Sequence, residues 1–206
     1  MFNTLIVILG FSKLPYWYNS QIHNMGNTGN LGNIHAISSP FITKLIDNKA
    51  YSGRNVRKEI YETFEGDVVD LCCGTGFSTK PGHVGVDTSL EMLRFGNVFN
   101  PGSDYRFGNA EKFGKENEFD TVSCMFAFHE MPTQGHKNVI RNSIRIAKKE
   151  ITIVDISTNY KPSDLMLSGE PYIKEYLENI DETMYKYGFK KYTFIKNHID
   201  IWKFKF

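Results

Sequence analysis

The stretch Val68-Val69-Asp70-Leu71-Cys72-Cys73-Gly74-Thr75-Gly76 constrains the fold of this chain more than any other. Its β-branched start reads as a buried strand, and the acidic residue followed by two glycines reads as a turn over which backbone can approach a ligand. A second run of the same kind, His83-Val84-Gly85-Val86-Asp87, follows after only six residues, 77–82. Two parallel strands normally need a crossover of a dozen or more residues, usually with a helix. Pro81-Gly82 argues against a helix ending there. The first core helix is therefore expected to shrink to a turn, leaving a sheet face built from Val68, Val84 and Val86 for another segment to cover.

Downstream, short β-branched runs alternate with helical patterns, the signature of a parallel sheet flanked by helices. Strands are expected near 67–72, 83–87, 104–107, 119–125 and 150–156. Val139, Ile140, Ser143, Ile144 and Ala147 recur at helical spacing between the last two. A further helix is expected over 171–187, with Pro171 in its first turn and Gly188 just past its end. Two strands at 190–195 and 199–206, around Asn197-His198, then make a terminal antiparallel hairpin. The fold class is α/β, Rossmann-like, with about seven mostly parallel strands.

Residues 1–65 differ in character. Gly26, Gly29 and Gly32 recur every third residue in Met25-Gly26-Asn27-Thr28-Gly29-Asn30-Leu31-Gly32-Asn33. Phosphate-cradling loops sit between a strand and a helix, which this stretch does not, so it reads as a flexible loop or lid. Helical patterning resumes at 40–47 and 55–64, where Phe41, Ile42, Leu45, Ile46, Val56, Ile60 and Phe64 could supply the missing apolar cover. The division expected is a cap or lid, 1–65, packed on a core, 66–206. The apolar run at 5–11 is far shorter than the roughly 20 residues that span a bilayer. Lys13 follows that run instead of preceding it, which does not fit a signal peptide.

Composition removes some functions. Lys plus Arg is 24 against Asp plus Glu 23, so no global positive field exists to hold a polyanion, and a nucleic-acid partner is not expected. Cys72 and Cys73 are adjacent and Cys124 is distant, a spacing that suits neither a disulfide framework nor a zinc site. No metal is expected, and a reducing intracellular setting, the cytoplasm, fits.

Asp87 ends the second strand where a carboxylate can accept both hydroxyls of a ribose. Thr88-Ser89-Leu90-Glu91 supplies a capping box for a following helix. Glycine turn, acid-ended strand and capped helix together point to an adenosine-bearing ligand. Dinucleotide sites want G-x-G-x-x-G/A with a small third residue; Thr79 stands there instead.

In this order the residues resemble the class I S-adenosylmethionine-dependent methyltransferase family. Asp70-Leu71-Cys72-Cys73-Gly74-Thr75-Gly76 is similar to the family's acidic strand end and glycine loop, with Cys72 in the place of the first glycine. The Cys-Cys variant is similar to loops of methyltransferases of the quinone-biosynthesis type, a hint about substrate size. The run from Gly85 through Asp87, Thr88 and Met92 resembles the ribose-binding strand and its helix, and Gly108-Asn109-Ala110-Glu111 the segment beside the adenine. Phe119-Asp120-Thr121-Val122 through Phe128-His129-Glu130-Met131-Pro132 looks like the fourth strand and the loop lining the methyl-transfer pocket.

The resemblance implies S-adenosyl-L-methionine as cofactor, bound by Asp70, Cys72, Gly74, Thr75, Gly76, Asp87, Thr88, Met92, Asn109, Ala110 and Phe126. Asn109 would accept from the adenine amino group through its amide oxygen. His129 is the candidate general base, because imidazole titrates near neutrality, and Glu130 is the second candidate. His35, Tyr51, Arg54, Arg57, Glu170 and Tyr172 could close the pocket or be structural. The expected activity is methyl transfer to a small molecule. The alternatives are a non-catalytic module of the same fold, which the short crossover favours, and an NAD-type oxidoreductase. No Asn/Asp-Pro-Pro-aromatic motif and no Pro-Cys nucleophile follows the fourth strand, and the cysteines lie in the loop and that strand. A phenolic, quinone-like, amine or acid acceptor remains.

Overall fold

The computed structural model describes Tyr16 and residues 26–206. The apolar run at 5–11 and Met25 lie outside the described residues. The glycine-rich stretch does not continue as a loop: helix α1 runs Gly29–Ala50. Gly29 turns into it with φ 63, and Gly32 must be glycine, because a Cβ there would lie 2.6 Å from the Asn27 carbonyl carbon. Pro40 sits inside this helix and removes the hydrogen bond that the Ala36 carbonyl would receive. The Ser39 hydroxyl donates to that carbonyl at 2.8 Å in its place. A chain-local compensation of this kind explains why the helix starts 11 residues before the proline expected to open it.

Helix α2, Val56–Tyr61, is capped by Asn55, whose side chain accepts from the Lys58 N–H. Strand β1, Val68–Leu71, leads through turns alone to β2, Val84–Asp87, so the first crossover has no helix. The remaining elements are α3 (Leu90–Phe99), β3 (Asp104–Phe107), β4 (Phe119–Met125), a single 3-10 turn (Phe128–Glu130), α4 (Thr133–Ile146), β5 (Ala147–Ile156), α5 (Asp164–Gly169), α6 (Ile173–Lys186), β6 (Lys190–Ile195) and β7 (Ile199–Lys205). The capping box works differently from the sequence expectation. Ser89, not Thr88, caps α3 by accepting from the Met92 N–H, and Glu91 accepts from the Gly29 N–H at 2.7 Å, tying α1 to α3.

The strands form one seven-stranded sheet in the order β3-β2-β1-β4-β5-β7-β6. The first five are parallel, and β7 enters antiparallel to both β5 and β6. A dinucleotide Rossmann sheet continues in parallel order after the fifth strand; the inserted antiparallel β7 excludes that architecture here.

Register decides which residues share a face. Val69 pairs with Val84 and Leu71 with Val86, so these four point to one side, with Val122, Ile151 and Ile153. That side packs on α4 and α6 through Val139, Ile140, Ile180 and Met184. Val68 points to the other side, and the expectation that Val68, Val84 and Val86 form one face is wrong by strand parity. On the Val68 side, Val56, Ile60 and Phe64 pack with Met125, Val154, Ile199 and Ile201. Phe41, Leu45 and Ile46 do not join them and are 73 %, 41 % and 40 % exposed. Where β2 meets the short crossover on that side, Gly85 takes the place of a large side chain. A Cβ there would come within 3.0 Å of the Cys73 and Thr79 side chains, so the turn itself covers the strand. Among the described residues no helix is long and apolar enough to cross a membrane.

Candidate active site

A cavity opens at the carboxyl edge of the parallel strands, where the topology changes direction between β1 and β4. Its floor is the turn after β1. Cys72 leaves the strand in the left-handed region with φ 61, a conformation that glycine adopts without strain and that explains the glycine common at this place. Gly74 follows with φ 53, and a Cβ built on it would meet nothing within 4 Å, so its bare backbone faces open cavity. Gly76 is glycine for another reason: a Cβ would strike the Tyr105 hydroxyl at 2.0 Å.

Asp87 stands at the end of β2 and holds both neighbouring turns. One carboxylate oxygen accepts from the Gly74 N–H at 2.8 Å and the other from the Ser89 N–H at 2.9 Å. Each oxygen keeps acceptor capacity for a further partner on the cavity side. Burial pushes its carboxyl above the usual range, and these backbone donors oppose the push. Asp70 has a different place. It lies beneath the loop, 1 % exposed, accepting from the Ser78 and Thr79 hydroxyls at 2.7 and 2.9 Å. Burial raises its carboxyl to about 6 against the pull of those hydroxyls. It shapes the loop from below and does not line the cavity.

Of the sequence candidates, Cys72, Gly74, Thr75, Asp87, Thr88, Met92, Asn109, Ala110, Phe126 and Glu130 line this one cavity, and Asp70, Gly76 and His129 do not. The Asn109 amide oxygen accepts from the Glu111 N–H at 2.8 Å, which closes its own turn and engages the atom expected to meet the adenine. His35 and Arg57 also reach the cavity. Tyr51 is instead core, Arg54 pairs with Glu59 on the surface, and Tyr172 lies edge-on to the Tyr16 ring.

Sequence reasoning missed Tyr16, Asn27, Ser39 and Thr43, which line the cavity from the N-terminal side. The Ser39 and Thr75 hydroxyls share a hydrogen bond of 2.9 Å, joining α1 to the glycine loop. The glycine periodicity at 26–32 was the available signal, and it marks a helix entry against α3.

Behind Glu130, which lines the cavity, three carboxylates surround one imidazole. His129 Nδ1 lies 2.6 Å from the Asp155 carboxylate, whose second oxygen accepts from the His129 backbone N–H at 3.1 Å. Glu170 and Glu130 stand 3.8 and 4.0 Å from Nε2. Burial works against a charged ring, yet the Asp155 charge and hydrogen bond, with Glu130 and Glu170, lift the imidazole to about 9. At neutral pH this ring carries a proton on each nitrogen, and Nδ1–H donates to Asp155. His129 is not among the residues that line the cavity, and the charge held on its ring favours Glu130 over it as the group that takes a proton. Glu130 does line the cavity; burial lifts its carboxyl to about 7, opposed by the positive charge of His129 and by His35. His129 Nε2 thus stands 4.0 Å from a carboxylate of the cavity wall without lining the cavity itself.

A parallel sheet with an antiparallel seventh strand, a glycine turn under open space and an acid at the end of β2 defines the class I methyltransferase fold. Residues 69–159 match the methyltransferase domain family. Solved structures share the architecture at low identity. A SAM-dependent methyltransferase from Thermotoga maritima, described as a possible histamine N-methyltransferase, is similar with a TM-score of 0.60 and 16 % identity, covering 84 % of this chain and 98 % of that one. A SAM-dependent methyltransferase from Aquifex aeolicus gives 0.53 and 16 %, covering 72 % and 88 %. An S-adenosylmethionine-dependent methyltransferase from Mesorhizobium loti gives 0.53 and 13 %, covering 75 % and 99 %. No curated protein matches the sequence. The fold and the match over 69–159 support an enzyme that uses S-adenosylmethionine. The residues present fit that cofactor on the bare Gly74 backbone and the cavity-facing carboxylate of Asp87.

Proposed function

We propose that this protein transfers a methyl group from S-adenosylmethionine to a small molecule held beside Phe126, Glu130 and Met131. The observation that carries the reading is that one cavity has Gly74 and Asp87 together in its wall and a half-buried carboxylate, Glu130, elsewhere in its lining. Asp87 accepts the ribose hydroxyls, Cys72, Thr75, Thr88, Met92 and Phe126 shape the walls, and the 109–110 turn lies beside the adenine. Asp70 and Gly76 act on the loop from below. S-adenosylmethionine supplies the electrophilic methyl. Glu130 accepts the proton released by an O–H or N–H acceptor as the new bond to carbon forms, and His129 with Asp155 holds that carboxylate in position.

Residues 1–65 are proposed to close the cavity as part of the fold, which the Ser39 to Thr75 bond and the places of His35 and Arg57 support. The Cys72-Cys73-Gly74-Thr75-Gly76 loop, similar to that of quinone-biosynthesis methyltransferases, supports an acceptor of comparable size. Three free thiols suit a reducing, intracellular setting. The test is calorimetry with S-adenosylmethionine, S-adenosylhomocysteine and NAD, followed by an acceptor screen with labelled methyl donor. Binding of the first two and methylation of a small phenol, quinol, amine or acid is expected. Binding without transfer to any acceptor class would leave a non-catalytic module.

A further inference from the structure

Arg57 carries a charge that is paired at ion-pair distance but has a buried N–H with no hydrogen-bond acceptor. It projects from α2 into the cavity that Gly74 and Asp87 line, with its side chain only 17 % exposed. The guanidinium carbon lies 4.4 Å from the centroid of the Phe126 ring, a stacking arrangement that fixes the plane of the fork. Phe126 is itself held in the left-handed region, φ 57, as the chain leaves β4. The carboxylate within ion-pair range is Asp47, at 3.6 Å from Nη1, too far for a hydrogen bond. Arg57 Nη1 and Asp47 Oδ1 are both buried without a hydrogen-bond partner. A buried guanidinium with an unsatisfied N–H is costly, and an anion in the cavity is what would satisfy it.

We propose that Arg57 binds the carboxylate of the aminoacyl arm of S-adenosylmethionine, with Phe126 as its platform and Asp47 as the positioning residue. The inference rests on the cofactor reading given above. In that reading Asp87 and the 109–110 turn take the adenosine, and the aminoacyl carboxylate is the cofactor's anionic group. A planar fork matches a carboxylate with two parallel N–H donors. Asp47 holds the guanidinium from behind without satisfying it.

The test is calorimetry on the full chain with S-adenosylhomocysteine, decarboxylated S-adenosylmethionine and 5′-methylthioadenosine, the last of which keeps the adenosine and lacks the arm. In Arg57→Gln, affinity for S-adenosylhomocysteine should fall roughly tenfold to a hundredfold, as for loss of a charged hydrogen-bonded pair. Affinity for the two ligands without the carboxylate should stay within about twofold. Arg57→Lys, which keeps the charge and loses the fork, should fall between. Should the glutamine variant fail to melt cooperatively, the lysine variant and the preference of the wild-type protein for ligands bearing the carboxylate decide the matter. Equal losses on all three ligands, or none, would overturn the assignment of Arg57 alone. Wild-type protein that binds none of the three would overturn the cofactor reading and this inference with it.

Discussion

The two ends of the cavity are built on different plans. The proposed adenosine end comes mostly from one continuous stretch, 72–92, in which a turn, a strand and a capped helix are consecutive. The transfer end gathers Glu130 from the turn after β4, Asp155 from β5 and Glu170 from beyond α5 around His129. The first end works through backbone conformation, which local sequence sets. The second works through charge coupling, which depends on distances between remote segments. The adenosine end should therefore fail one residue at a time, and the transfer end as a unit.

Glu130→Gln should give the largest effect. Removing a general base lowers turnover about a hundredfold to ten-thousandfold, while cofactor affinity measured by calorimetry hardly changes. Turnover equal to wild type with a true acceptor would remove the base from the transfer end. His129→Gln should lower turnover less than Glu130→Gln does, because it acts through Glu130; the reverse order would restore the imidazole as the reacting group.

Asp87→Ala comes next and breaks the other end. It removes the proposed ribose contacts and the carboxylate that holds the Gly74 and Ser89 amides. Loss of charge-assisted hydrogen bonds predicts an affinity for S-adenosylmethionine lower by roughly a hundredfold or more. Equal affinity in a folded variant would show that the ribose lies elsewhere.

The charge coupling has its own signature in stability. The His129 ring is raised from 6.5 to about 9 in the folded protein, so its contribution is fully present below pH 6.5 and is lost as pH rises through 9. Thermal melting should fall by several degrees between pH 7 and 9, and His129→Gln should flatten that slope. An unchanged slope in the variant would mean that the titrating group is another one. The smallest effect expected is that of Ser39→Ala, which removes the hydroxyl bond to Thr75. A neutral hydrogen bond is worth about 1 kcal/mol, so cofactor affinity should weaken about fivefold.

The strand pattern from 66 onward, the missing helix in the first crossover and the terminal hairpin were legible because each depends on short-range periodicity and on residues such as Pro81 and Gly82. Legible for the same reason were Gly74, Asp87 and the Ser89 cap region, where backbone geometry demands particular residue types. The choice between His129 and Glu130 was not legible. Adjacent in sequence, they differ in whether they face the cavity, and the proton balance between them is set by Asp155 and Glu170, 26 and 41 positions from His129.

Helix α1 shows the same boundary from another side. The glycines read locally as a loop and Pro40 as a helix start, but a Ser39 bond to the Ala36 carbonyl and the packing of Gly32 against Asn27 keep one helix continuous. Local sequence was enough to set the class of sheet and the glycine turn, since both follow from hydrophobic period and the conformations open to glycine. Which faces the strands present, which carboxylate lines the cavity and where Arg57 projects emerge only on folding. Those depend on register, burial and electrostatic distance between segments far apart in the chain.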